Sequence, residues 1–276
     1  MGALSLIQLD RFPLDGRDPG TYDAIVEDAR GQLARQGYAE LSGFITPEGV
    51  VALVRDAATL AERAHPSHGP GTAYLELPAD HWPEGHPRTK WMDYAVRAVG
   101  YDVIPTSSPL RQIYELPELD RFIEAVLHRG PLYHYADPCG ALNLAVMGEG
   151  DQLQWHFDQT DFVVSLAIQD ADQGGDFEVV PLTRTATDER YDEINAILLG
   201  DHSKVTRLKM TPGTLLIFEG RYSLHRVSPI HGDTLRHVGL LAYDTKPGTT
   251  SSELLRMIRY GRAEAFSTPP TTWPVA

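Results

Sequence analysis

The chain has 276 residues and a formal net charge of −14 at pH 7, from 38 acidic against 24 basic side chains. That balance repels phosphate backbones and anionic lipid surfaces, whose binding rests on clustered Lys and Arg, so no nucleic-acid partner and no membrane partner is expected. One cysteine, Cys139, excludes an internal disulfide and a thiolate metal cage. The opening MGALSLIQLDRFP has neither a basic leader nor a long apolar run, so the expected location is cytoplasmic.

Taken in chain order, residues 20–36 place Ile25, Ala29 and Leu33 at helical spacing, and Thr46-Pro47 caps a second predicted helix over 47–63. Between His65 and Arg88, Pro, Gly and His break both periodicities, which predicts a long loop. A further helix over 117–127 precedes Gly130-Pro131. Short apolar runs then predict strands at 141–147, 153–157, 162–168, 177–180, 205–210, 214–218, 223–227 and 235–243, with a helical insertion over 188–199. Gly148, Gly174-Gly175, Pro212-Gly213 and Gly232-Asp233 supply the turns.

Eight short strands at this spacing predict a mainly β chain with flanking helices (α+β): a double-stranded β-helix, the cupin-like jelly-roll barrel, whose mouth can hold a small ligand. The expected organisation is one domain over 1–276, since barrels of this size commonly stay in one piece. It comprises a mostly helical flanking region (1–135) with the loop 65–88, a barrel core (136–248), and a C-terminal helix and tail (249–276). The sequence assigns no oligomeric state.

In QLQWHFDQTD, His156 and Asp158 are two apart on or beside a predicted strand, so the period of two points both to one face. His225, in SLHRV on the seventh predicted strand, is available as a third ligand. Two imidazoles and a carboxylate form the facial set that suits ferrous iron with open positions. Alone, the His-x-Asp spacing also arises among ordinary core histidines.

A dicarboxylate that chelates iron at one end needs a fixed cation for the other, and Arg matches a carboxylate bidentately. Arg236 lies eleven residues after His225, across one tight turn. Its alternation with Val238, Leu240 and Ala242 argues for an inward face rather than the surface position commoner for Arg.

On His156-x-Asp158, His225 and Arg236 the sequence resembles the iron(II)/2-oxoglutarate-dependent oxygenases. The segments YADPCGALNLAVMGEGDQLQWHFDQTDFVVSLAIQ, GGDFEVVP, PGTLLIFEGRYSLHRVSPI and LLAYDTKPG are similar to a bacterial subgroup acting on free amino acids, which includes hydroxylases and radical halogenases. The resemblance implies Fe(II), 2-oxoglutarate as co-substrate, and O2. It also implies decarboxylation of 2-oxoglutarate to succinate coupled to oxidation of an unactivated C–H bond in specialised metabolism. Halogenases of that group have Gly where this chain has Asp158, so the resemblance implies hydroxylation, with desaturation or ring closure (for instance to a cyclopropane) as alternatives.

Within that reading Asn143 is a candidate donor to the chelating carboxylate, although a buried Asn needs partners for structural reasons as well. The expected partner is a small molecule, a free amino acid or analogue. Gln159, Thr160 and Asp161 follow the ligands at the rim, His134 precedes the barrel, and Arg88 in the long loop is the candidate for an amino-acid carboxylate, the loop itself being a candidate lid. His65, His68, His81 and His86 read as solvated loop histidines, because Pro and Gly between them give no fixed geometry. Arg226, one residue from His225, falls on the opposite strand face and reads as structural, with Arg221 nearer the mouth. A non-catalytic carboxylate- or metal-binding barrel and a zinc hydrolase compete with this reading; Arg236 argues against the hydrolase, which needs no dicarboxylate anchor.

Overall fold

Residues 2–76, 79 and 81–267 are described by the computed structural model of the chain. Helix α1 (Pro19–Gln36) is capped by Asp18, whose carboxylate accepts from the Thr21 N–H, and ends at Gly37 in the left-handed region. Strand β1 (Tyr38–Leu41) leads to helix α2 (Pro47–Ala61), where the Thr46 hydroxyl accepts from the Gly49 N–H. Next come β2 (His65–Gly71), β3 (Met92–Gly100), α3 (Pro109–Tyr114), α4 (Pro117–Leu127) and β4 (Tyr133–His134). Then follow β5 (Leu142–Met147), β6 (Gln152–His156), β7 (Val163–Gln169), β8 (Gln173–Gly174), β9 (Phe177–Val180) and α5 (Tyr191–Leu198). The rest is β10 (Thr206–Leu208), β11 (Leu215–Phe218), β12 (Leu224–Val227), β13 (Ile230–His231), β14 (Arg236–Leu241), β15 (Tyr243–Asp244) and α6 (Glu253–Tyr260). No helix among the described residues is long and apolar enough to cross a membrane.

Eleven strands form one sheet in the order β1-β11-β7-β14-β5-β3-β6-β12-β9-β10, with β2 added on β3. β3 is the joint: Arg97–Gly100 pair with β5, while Tyr94 and Ala95 pair with β6. The sheet thereby curls into the half-barrel of a double-stranded β-helix. Strand alternation divides the core. Leu142, Leu144 and Val146 of β5, with Val164, Leu166, Leu215 and Ile217, pack outward against Leu53, Leu110, Ile113 and Phe122 of the helices. On the other limb, Trp155, Val180 and Leu224 lie under Ile194 and Ile197 of α5. The inward rows, including Val96, Ala145, Met147 and Val227, enclose the interior.

Two expectations change. The predicted loop 65–88 opens with a strand, since His65–Gly71 pair in register with Met92–Ala98. Two prolines had hidden it; Pro66 and Pro70 are four apart, so both can occupy positions whose absent N–H faces the open edge of the sheet. β1, β2 and β3 lie within residues 1–135, which the sequence had read as mostly helical. The C-terminal helix is α6, and the tail 268–276 lies outside the described residues.

Candidate metal centre and adjoining pocket

His156 ends β6, Asp158 follows two residues on, and His225 lies opposite His156 on β12. The next pair is Val227 with Leu153, so three steps on β6 oppose two on β12: a β-bulge. The bulge returns His156 to the face of Leu153, and both line one pocket. The two imidazole rings stand 4.2 Å apart, centroid to centroid.

Each ring is oriented by its own strand. Nδ1 of His156 is 2.7 Å from the Gln154 carbonyl, and Nδ1 of His225 is 2.9 Å from that of Ser223. Carbonyls only accept, so both Nδ1 atoms carry a proton, which leaves Nε2 as the nitrogen of each ring that can ligate a metal. Oδ2 of Asp158 is 3.3 Å from Nε2 of His225, yet it is buried without a hydrogen-bond partner. Among the described residues these three side chains form a group whose donor atoms all lie within 4.8 Å of one another. Two bare imidazole nitrogens and an orphaned carboxylate oxygen in one buried place are a donor set that fits a divalent cation.

Burial, reinforced by the electrostatic interaction with His225, lowers the His156 pKa to about 4. Burial would push the Asp158 carboxyl up, but His225 and His156 together bring it down to about 2. At neutral pH His156 is therefore neutral and Asp158 ionised, the states in which both can ligate a metal. Phe177 and Phe218 wall His225, with ring centroids at 5.5 and 5.0 Å. Gly220 closes the other side: its carbonyl accepts from the Asp158 N–H, and a Cβ there would collide with the Asp158 carboxylate. Sequence reasoning missed Gly220, because a purely steric contact leaves no motif.

Arg236, on β14, is buried at 5% exposure. Among the described residues its one hydrogen-bond contact runs from Nη1 to the Met147 sulfur at 3.9 Å. Burial lowers its pKa to about 10, opposed only at longer range by Asp170 and Asp176. Asn143, across the ladder from Leu240, has its Oδ1 buried without a partner. Arg236 and Asn143 both face inward, so the predicted alternation describes their placement.

The rim residues are placed differently. Arg88 donates to Glu76 (2.9 Å), Glu189 (3.2 Å) and the Tyr191 hydroxyl (3.0 Å), with its guanidinium carbon 4.0 Å from the Tyr74 ring centroid. Its donors are spent on bracing the 65–88 segment against α5, and it does not line the pocket at His156. His134 is held by Asp120 at 2.8 Å and stacks on Tyr114, also away from that pocket. Arg221 grips Asp161 at 2.5 Å and the Gln159 carbonyl, pinning the loop after the ligands. Thr160 and Asp161 line a separate pocket of about 90 Å³ beside Tyr243. Arg226 points outward to Glu178 at 2.6 Å.

The pocket that reaches His156 is a space of about 340 Å³. Its walls include His68, Glu76, Trp91, Tyr94, Leu153 and Arg259, from β2, β3, β6 and α6. Sequence reasoning missed this wall because β2 read as loop and α6 had no assigned role. The available signal was Ser252, which caps α6 by accepting from the Leu255 N–H.

Residues 84–255 match the family described as Halogenase D. No curated protein sequence matches the chain. Among solved structures, AviO1 from Streptomyces viridochromogenes Tue57 is similar with a TM-score of 0.55 at 17% identity, covering 81% of this chain and 96% of that one. An oxidoreductase of the 2OG-Fe(II) oxygenase family from Burkholderia pseudomallei is similar with a TM-score of 0.52 at 16% identity, covering 81% and 92%. The epimerase SnoN, solved with Fe3+, alpha ketoglutarate and nogalamycin RO, reaches 0.54 at 14%, covering 80% and 84%.

Proposed function

We propose, for a chain that belongs to the Halogenase D family and has the fold of the iron(II)/2-oxoglutarate-dependent oxygenases, that it is itself such a dioxygenase. Its substrate is a free amino acid or close analogue in specialised metabolism, hydroxylated at an unactivated C–H bond. The observation that carries the reading is a buried His-Asp-His donor set sharing one barrel interior with a buried arginine that has no carboxylate partner among the described residues. A zinc hydrolase would use the first and has no need of the second.

His156, Asp158 and His225 would hold iron(II), which when bound supplies the activation of dioxygen and 2-oxoglutarate. The overall balance is C–H, 2-oxoglutarate and O2 going to C–OH, succinate and CO2. Arg236 would pair with the far carboxylate of 2-oxoglutarate, fixing its orientation in an interior that excludes bulk water. The Asn143 amide would donate to its near carboxylate. Asp158 occupies the position that is Gly in the halogenases the motifs resemble, which favours hydroxylation over halogen transfer.

The test is a screen of free amino acids, their N-acylated forms and carrier-tethered forms, reading succinate together with a mass gain of one oxygen atom. Coupled turnover with a free amino acid supports the reading. Coupling only to tethered forms or to an unrelated scaffold removes the substrate assignment, and no succinate under any condition removes the chemistry.

A further inference from the structure

The wall of the metal-facing pocket contributed by α6 carries an arginine that the motif reading did not include. Arg259 lines the same space as His156. Its charge is felt at both His156 and Asp158, where it contributes to lowering each pKa. Its neighbours in sequence are spoken for: Arg256 lies 3.5 Å from Asp137, and Arg262 lies 2.6 Å from Asp102. Among the described residues Arg259 has no such ion pair, and it is only half-buried, so its guanidinium is both solvated and available.

We propose that Arg259 anchors an anionic group of the substrate, a carboxylate, and so sets which carbon faces the metal centre. This rests on the reading of the site as an oxygenase centre. A guanidinium offers a planar fork that a carboxylate meets bidentately, and a fixed anchor at one end of a small pocket orients everything beyond it. The rest of the pocket suits a neutral side chain, since Val96, Leu153, Leu254, Leu255 and Ile258 provide apolar walls. Among the described residues Glu76 is the one acidic group on its lining, and it is already paired with Arg88 at 2.9 Å. The role sought for Arg88 on sequence grounds thus passes to Arg259, because Arg88 has its donors engaged and Arg259 does not.

The anchor differs from the co-substrate's. Arg236 is sealed among Met147 and Gly175 on β14, whereas Arg259 faces a solvent-connected space from a helix outside the sheet. Loss of Arg259 therefore affects the substrate and leaves 2-oxoglutarate in place.

Trp91 lines the mouth at 51% exposure and provides a readout that needs no turnover. The full-length protein, without added iron, is titrated with L-norvaline, L-norleucine, L-leucine and their amides while tryptophan fluorescence is followed, with Trp91→Phe as the signal control. The proposal expects at least one acid to bind about tenfold more tightly than its amide. It expects Arg259→Gln to erase that preference and Arg259→Lys to restore part of it, with 2-oxoglutarate affinity of the iron-loaded protein unchanged in both. Equal binding of acids and amides to the wild type, an unchanged preference in Arg259→Gln, or a loss of 2-oxoglutarate affinity in that variant overturns it. If acid binding depends on Arg259 while the iron-loaded protein forms no complex with 2-oxoglutarate, the anchor stands and the oxygenase reading falls.

Discussion

The guanidinium of Arg236 ends against the sulfur of Met147, 3.9 Å from Nη1, with no carboxylate closing the pair. A buried charge in that state costs stability, and an apolar replacement of similar volume relieves the cost. Arg236→Met is expected to leave the unliganded protein as stable as the wild type or up to about 2 kcal/mol more stable, while weakening 2-oxoglutarate by on the order of 2 to 5 kcal/mol. Denaturant unfolding alongside calorimetric titration of 2-oxoglutarate checks both halves. Normal 2-oxoglutarate affinity in the variant would assign the anchor elsewhere.

Gly220 makes no bond to a metal, yet it is expected to control metal binding. A methyl group there meets the Asp158 carboxylate, and only movement of that side chain relieves the clash. Gly220→Ala should therefore weaken iron(II) by about 10- to 100-fold, the range typical for groups that orient ligands. Circular dichroism should stay unchanged. Wild-type iron affinity in this variant would mean that Asp158 is not a ligand.

In the proposed function Asp158 stands at the position that is Gly in the halogenases the motifs resemble. Asp158→Gly should make formation of the iron and 2-oxoglutarate complex depend on chloride, whereas the wild type should ignore it. Titrating chloride against the complex's absorption separates these outcomes. Chloride dependence in the wild type would contradict the assignment of Asp158.

His237 faces the helices rather than the interior, and both ring nitrogens are buried without partners. Burial, aided by the charge of Arg97, lowers its pKa from 6.5 to about 4. Between those values the unfolded chain binds a proton that the folded chain refuses. Stability therefore falls as pH drops through the window, by up to about 3 kcal/mol for this group. His156 acts in the same direction. His237→Leu should flatten the dependence of unfolding free energy on pH between 6.5 and 4 by roughly one proton's worth. An unchanged slope would show that His237 does not carry it.

Much of the interior was legible because alternation alone assigns faces along a strand. Arg236, Val238 and Leu240 share one side, and Arg226 takes the side opposite His225. The pairing of His156 with His225 was not legible in detail, since it depends on a one-residue bulge that no local pattern announces. β2 was hidden by Pro66 and Pro70, which are unfavourable in a central strand and tolerable at an edge. Arg88 misled because its partners Glu76 and Glu189 lie 12 and 101 residues away, so its engagement exists only in three dimensions. Arg259 escaped for the same reason, as α6 reaches the pocket only after packing on β2 and β3.

In the proposed function the three buried donors and Arg236 together hold iron(II) and 2-oxoglutarate. Anaerobic addition of iron(II) and then 2-oxoglutarate to the metal-free protein tests it most directly, by the visible charge-transfer absorption of the chelate. The band is expected at one iron per chain and is expected to be lost in His156→Ala and His225→Ala, each of which removes one of the three proposed ligands. A protein that forms no band, or forms the same band without either histidine, would contradict it.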